Sequence, residues 1–494
     1  MHISKVLQLA APVFLATTLS LFSQIALSGD STSKAPREPI KLYDKSELNP
    51  KDPGYSWEGA TLLKNIRVID GTGTKPKSGQ DILIADGKIE IVGKTGSVKV
   101  PKGAKVIDGK GLTAMPGLID AHAHIGGGWR GANANGYVPV EGKWQLLAFL
   151  YSGITTVFDT GGVTVIGSDT RDMLNVGAWV GPELKIAGAM FETASVGASG
   201  ANILIPVNDA GVIGGHLDSY KDVYDIEMVK CHSGTNTQVL RTLVAEAHKR
   251  GMRVFCDLWH NNGNPWIAKI THLDGYAHNS FMGVTPTKAD AKILKDEGTF
   301  VITTSVLWDS FGGHRMKTDP KGYLADVKSN PLIVDVTPPH YLKAHNEGGI
   351  EKLLDVHKNL TDGMMADVKS TDEMRKDSIK WTKIMVDEGM MVGLGTDVPY
   401  GGIWSGESLH REMEIWVNES KVSPLRTIKA ATYDNAKIMK MDDRTGSIKQ
   451  GLEADLLVVK GNPAKNISDT RNIEYIFSNG KLVDRESLTR QWKP

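Results

Sequence analysis

Between Gly117 and Asp397 the sequence repeats one unit: a short apolar run ends near a polar or charged residue and gives way to a longer stretch, most of them with helical spacing. Eight runs are read: Gly117 to His122, Thr155 to Asp159, Leu184 to Met190, Asp225 to Lys230, Arg253 to Trp259, Leu273 to His278, Phe300 to Val306 and Met391 to Thr396. After the fourth, Thr237 to Arg250 places Val239, Leu240, Leu243, Val244 and Ala247 on one helical face and stops at Gly251. Strands separated by helix-length crossovers pair in parallel and carry their helices outside the sheet. Eight such units predict an α/β chain whose sheet closes into a TIM-like (β/α)8 barrel. The stretch from Trp308 to about Asp377 is too long for an ordinary connection, and its helical pieces at Gly348 to Lys358 and Thr371 to Lys380 predict a lid or part of a pocket wall.

Outside the repeat the pattern changes to short apolar runs punctuated by Gly and Asp. They are Leu62 to Ile69, Asp81 to Ala85, Lys88 to Val92 and Ala104 to Ile107 on one side, and Gly446 to Ile448, Ala454 to Lys460, Ile473 to Ser478 and Lys481 to Val483 on the other. These predict a small β-sandwich domain assembled from both chain ends, residues 58–115 and 441–494, around a barrel of residues 116–440. A chain of 494 residues that is 40% hydrophobic has enough apolar side chain for both. At the start, Lys5 precedes an apolar run from Val6 to Leu27, with small residues at Ala26, Ser28 and Gly29, so residues 1–28 are expected to be a signal peptide and 29–57 a linker or surface strap. The expected product is periplasmic or secreted, with no stable membrane insertion after cleavage.

Lys plus Arg and Asp plus Glu both count 57, so no net charge draws the chain to nucleic acid. A small-molecule substrate is the expected partner, and a homo-oligomer is compatible with the composition. Cys231 and Cys256 are too few for a disulfide framework and are expected as two buried thiols, a single bridge being the alternative.

The unusual polar residues fall at the C-terminal tips of the predicted strands, where barrel enzymes place their chemistry. His122 and His124 lie two apart, so both imidazoles face one side and can share a metal ion. Fourteen histidines make one such pair weak on its own, and a pair of loop histidines is the plain alternative. His260 and His278 are placed at the tips of strands five and six, and Asp397 closes strand eight, where it can bind metal and take a proton from activated water. Capping of the next segment is the competing role for Asp397. Lys230 ends strand four facing inward, where a bare ammonium is costly. Reaction of the neutral amine with carbon dioxide would give a carbamate anion able to bridge two metals, and a salt bridge to an acid such as Asp159 is the alternative. His216, His314 and Arg315 read as loop surface.

The run Leu118-Ile119-Asp120-Ala121-His122-Ala123-His124 resembles the strand-one motif of the amidohydrolase superfamily, and Gly393 to Asp397 resembles its strand-eight motif. Pro424-Leu425-Arg426, Ala430-Ala431-Thr432, Asn435-Ala436, Gly446-Ser447-Ile448, Gly451 and Ala454 to Val459 look like the return segment of the imidazolonepropionase-like branch, which also takes in prolidase-like dipeptidases. The resemblance runs from about Ala60 to Val483. It implies that His122, His124 and Asp397 bind one ion and His260 and His278 a second, with carbamylated Lys230 bridging the two. Zinc is the implied metal, with a bridging hydroxide as nucleophile and Asp397 as the catalytic proton shuttle. Three segments depart from the pattern: Leu258-Trp259-His260 stands where relatives carry His-Ala-His, Ala277-His278-Asn279 where they carry Glu-His-Gly, and Cys231-His232-Ser233-Gly234 where an aromatic and Ser-Gly-Gly are usual. They place specificity in question and raise His232 as a substrate contact, against a loop hydrogen bond.

The expected function is an exported binuclear amidohydrolase cleaving amide bonds of dipeptides or N-acyl amino acids. Hydrolysis of cyclic amides, carbamates or esters on the same site, and a binding protein that has lost catalysis, are the alternatives. A glycoside hydrolase needs two carboxylates across the mouth, and Asp397 shows no such partner in the sequence.

Overall fold

In the computed structural model, which describes residues 54–126, 139–193, 203–207, 209–232, 234–257, 264–280, 285–311, 313–347, 370–400 and 402–490, apolar alternation sorts the strands into two bodies. The chain enters through β1 (Tyr55–Trp57), β2 (Thr61–Val68), β3 (Lys77–Ala85), β4 (Lys88–Lys94), β5 (Lys105–Asp108) and β6 (Leu112–Pro116). It continues through β7 (Leu118–Ala123), β8 (Ile154–Asp159), β9 (Glu183–Ile186), β10 (Met190–Glu192), β11 (Leu204–Pro206), β12 (Met228–Cys231), β13 (Arg253–Asp257), β14 (Gly275–Ala277), β15 (Phe300–Thr303) and β16 (Val392–Leu394). It returns through β17 (Leu456–Lys460), β18 (Ile473–Ser478) and β19 (Lys481–Val483).

Strands from the two ends interleave in one nine-stranded sheet of order β1-β19-β18-β17-β6-β2-β3-β4, with β5 on β2. The join is the antiparallel pair β6–β17, in register from Leu112↔Lys460 to Pro116↔Leu456. The strands therefore form a single hydrogen-bonded path. That path curls around its own core of Leu63, Ile66, Ile82, Ile84, Ala114, Leu456, Val458 and Phe477. Gly446 to Ile448, expected as a strand, is an irregular bend tied by the Ile448 amide donating to Asp70 O at 3.0 Å.

The barrel strands are parallel. β8 lies between β7 and β9, and the order from β10 onward is β10-β12-β13-β14-β15-β16. β9 and β10 are two halves of one strand on either side of Gly188, whose φ of +73° turns the backbone. The ring closes where β16 meets β7: Ala123 bridges Val398, and the His124 amide donates to Val398 O at 2.7 Å. Eight strand positions thus form a closed TIM-like barrel. Alternate residues fill it, with Ile119, Phe158, Met228, Phe255, Ala277 and Ile302 inside and Val229, Val254, Tyr276 and Val301 against the helices.

The closing seam has its own polar device. Asn435 is fully buried; its Nδ2 donates to Ile119 O (2.7 Å) and Leu394 O (2.8 Å), and its Oδ1 accepts from the Leu394 amide at 3.0 Å. Gly393 leaves room for it, since a Cβ there would sit 2.1 Å from Asn435 Oδ1.

The end sheet meets the barrel at the strand starts and leaves the tips clear. Leu118 follows Pro116 with one residue between, Gly153 before β8 packs on Leu457, and Arg444 pairs with Glu183 at the head of β9. Cys231 and Cys256 correct an expectation. They sit opposite each other on β12 and β13 with Cα atoms 4.6 Å apart, a spacing a bridge spans without backbone movement, and are joined as a disulfide.

The segment after β15 is helical, with Ser305–Phe311, Pro320–Ser329, Pro339–Glu347 and Thr371–Asp387, the last begun by a capping box between Ser370 and Glu373. The expected piece Gly348 to Lys358 lies outside the described residues, as do residues 1–53 with the proposed signal and most of the strap. Among the described residues no helix is long and apolar enough to cross a membrane.

His410 joins the helix Glu407–Asn418 to the barrel and the end sheet: its Nε2 lies 2.9 Å from Ser152 O and its Nδ1 2.9 Å from Thr470 Oγ1. Burial, reinforced by the Arg471 charge, lowers its pKa to about 3. The fold thus favours the neutral ring, and the unfolded chain binds the extra proton first as pH falls. Stability from this group is complete above pH 6.5 and is lost as pH drops from about 6.5 toward about 3. His410→Gln should flatten that acid limb in unfolding experiments run from pH 7 to pH 4. An unchanged pH slope would show that His410 does not contribute.

Candidate active site

The barrel tips assemble five of the six expected metal ligands. His122 lies on β7 and His124 one residue past its end; Lys230 lies on β12, His278 follows β14, and Asp397 stands three residues past β16. All five are buried, and Lys230 is 2% exposed. The backbone is shaped for this, because His278 (φ +72°) and Asp397 (φ +59°) occupy the left-handed region that non-glycine residues seldom adopt. The approach of β16 to β7 is equally tight: a Cβ at Gly395 would lie 2.4 Å from His122 Cβ. Asp120 fixes that junction by accepting from the Thr396 hydroxyl at 2.7 Å and from the His122 amide at 3.1 Å.

Asp397 Oδ1 lies 3.4 Å from His122 Nε2 and 3.1 Å from His124 Nε2, and its Oδ2 3.9 Å from His278 Nε2. Lys230 Nζ lies 3.1 Å from His122 Nε2 and 3.1 Å from Asp257 Oδ1. The acid beside Lys230 is therefore Asp257, where the salt-bridge alternative had named Asp159 as an example. Burial alone would push the Asp397 carboxyl up, but His122, His124 and His278 outweigh it and hold it well below the ordinary range. Burial and the nearby Lys230 ammonium push His122 the other way, to about 3, so its ring is neutral.

The hydrogen-bond pattern asks for a cation. His124 Nδ1 lies 2.6 Å from Gly161 O, and a carbonyl only accepts, so Nδ1 carries the proton. In the neutral ring Nε2 is then a bare lone pair aimed at an anionic oxygen 3.1 Å away. Such a pair of acceptors is stable only with a proton or a metal ion between them. Asp397 Oδ1, Asp257 Oδ1 and His122 Nδ1 are buried without an aligned hydrogen bond, and one ligand atom each from His122, His278 and Asp397 lie within 4.8 Å of one another. This donor set fits a divalent metal centre.

His260, the sixth expected ligand, lies outside the described residues. What strand β13 delivers to the site is Asp257, its last residue, which the sequence reading passed over. The signal was available: Phe255 faces the barrel interior, so Asp257 two residues on faces the same way. Asp257 also supplies the second mouth carboxylate whose absence had set a glycosidase aside. Both acids, however, are hemmed in by imidazoles and, at Asp257, by an ammonium, so neither is free to serve as a glycosidase acid.

His232 sits at the rim, about one-third exposed, with Nδ1 3.0 Å from Glu192 Oε1 and Nε2 3.8 Å from Asp257 Oδ2. Glu192 is buried and also accepts from the Gly234 amide at 3.0 Å, which fixes the ring's orientation. His216 packs edge-on against Phe191, and Arg315 pairs with Asp326 away from this cluster.

A family model described as the amidohydrolase family matches residues 318–483. An imidazolonepropionase of Phocaeicola vulgatus is 24% identical over 421 residues, covering 81% of this chain and 92% of that protein. These matches support a relationship to the amidohydrolase superfamily. The chain's fold is shared with a putative prolidase from Bifidobacterium longum (TM-score 0.64, 19% identity, 88% of this chain and 99% of that one). A Xaa-Pro dipeptidase with bound methionine in the active site is equally alike (TM-score 0.64, 19% identity, 86% and 99%). An enamidase of Eubacterium barkeri is 32% identical over 104 residues, 20% of this chain, a match spanning only 25% of the enamidase. The matched family and these homologues are named as hydrolases acting on carbon–nitrogen bonds.

Proposed function

We propose that the chain is an exported metal-dependent amidohydrolase that cleaves amide bonds of small substrates such as dipeptides or N-acyl amino acids. The observation that carries this reading is the facing pair of acceptors, His124 Nε2 and Asp397 Oδ1, 3.1 Å apart inside a buried cluster of imidazoles. His122, His124 and Asp397 would hold one divalent ion, and Lys230 with His278 would share in a second, zinc being the expected metal. When bound, such ions activate water and polarise a carbonyl.

The chain's own groups do the rest. Asp397, at the centre of the cluster, takes the proton from the attacking water and delivers it to the leaving nitrogen. His232, oriented by Glu192, meets the substrate at the rim. Carbamylation of Lys230 joins its neutral amine nitrogen to carbon dioxide with release of one proton. It would place an anion beside Asp257, an arrangement that divalent cations offset, so carbamylation and metal loading are expected to be linked.

The fold likeness to prolidase and Xaa-Pro dipeptidase supports a linear amide substrate. Imidazolonepropionase, matched over most of the chain, favours a cyclic amide as the second reading. The apolar run Val6 to Leu27 supports export, as does the Cys231–Cys256 bridge, which persists in an oxidising compartment.

Elemental analysis of the purified full chain is expected to give close to two divalent ions. Chelation should abolish hydrolysis across a panel of dipeptides, N-acyl amino acids and lactams, and ions supplied with bicarbonate should restore it. Metal-replete protein with no bound metal would end this reading.

A further inference from the structure

We propose that Asp257 is the metal ligand contributed by strand β13, and that the position it serves prefers a harder, oxygen-seeking divalent cation such as Mn2+ over Zn2+. The proposal rests on the metal-dependent reading above and adds to it a residue and a cation class.

The geometry places Asp257 at the centre of the second position. It is 5% exposed and faces the barrel interior. Its Oδ1 lies 3.1 Å from Lys230 Nζ and 3.4 Å from His278 Nε2, the two side chains expected to share an ion there. Oδ1 is nevertheless without an aligned hydrogen bond, although an ammonium is close enough to make one. A carboxylate whose only task was to neutralise Lys230 would be expected to meet it head-on with a charge-assisted hydrogen bond. This oxygen lies between an ammonium and an imidazole, which is where a shared cation would draw all three.

The donor chemistry then fixes the preference. The first position offers two imidazole nitrogens and one carboxylate, a set that suits zinc. The second offers one imidazole with the Asp257 carboxylate, and two further oxygens if Lys230 is carbamylated. Oxygen-rich sets favour Mn2+ and its class.

The test uses the full chain stripped by chelator and reloaded with Mn2+ or Zn2+, read by elemental analysis and by the electron paramagnetic resonance of bound Mn2+. Wild type is expected to bind Mn2+ at the second position. Asp257→Asn should lose one equivalent, with affinity falling beyond the about 10–100-fold that an outer hydrogen-bonding partner costs. Asp257→Glu should keep the equivalent, and Asp257→His should keep it with the preference turned toward Zn2+. If Asp257→Asn fails to fold by circular dichroism, the Glu and His variants decide. Unchanged stoichiometry and Mn2+ affinity in folded Asp257→Asn, or loss of the equivalent in His260→Ala instead, overturns the proposal while leaving a metal hydrolase intact. Wild type that binds no metal at all overturns both.

Discussion

Replacing Asp397 by Asn is expected to lower kcat for amide hydrolysis by about 10²- to 10⁴-fold, the usual worth of a positioned general base. The substitution keeps the shape of the side chain and removes its capacity to take a proton. Asp397 is the group on which His122, His124 and His278 all converge, and its carboxyl is held well below the ordinary range despite burial. No other described acid is placed against all three imidazoles. The measurement is kcat on the best substrate from the panel, with thermal unfolding alongside. A variant that retains wild-type kcat would remove Asp397 from the chemistry. A variant inactive only because it unfolds would show a matching fall in Tm.

Asn435→Leu is expected to destabilise the fold by about 3–6 kcal/mol without touching any proposed metal ligand. Its amide closes the barrel by holding Ile119 O, Leu394 O and the Leu394 amide. An apolar side chain of similar size leaves three buried backbone groups unpaired, each costing about 1–3 kcal/mol. Asn264→Ala is the comparison. Asn264 caps the exposed start of the helix Pro265–Thr271 through the Trp266 amide at 2.9 Å, and losing such a cap costs about 1 kcal/mol. Urea midpoints for the two variants should separate clearly. Equal shifts would mean that the seam between β7 and β16 is held by packing alone.

Most of the barrel was legible because its signals are local. A run such as Phe300 to Val306 announces a buried strand, and Thr237 to Arg250 shows its helical face within a few turns. Strand ends were less legible. Run seven stops at Thr303 and turns into the helix Ser305–Phe311, because a strand ends where its partner's hydrogen bonds end. Neighbours decide that. The same limit explains the cysteines, since only the register of β12 against β13 sets Cys231 opposite Cys256.

The repeating strand–helix plan, the two chain ends as sources of a sheet, and the polar residues near the ends of strands one, four, six and eight were all readable in the chain. Each follows from periodicity and side-chain chemistry within one segment. Folding in three dimensions was needed to set Lys230 against Asp257, Glu192 against His232, Asn435 at the closing seam, and the end strands in one continuous sheet. These are contacts between residues far apart in the chain, and their distances are set by barrel closure and strand register, which no single segment contains.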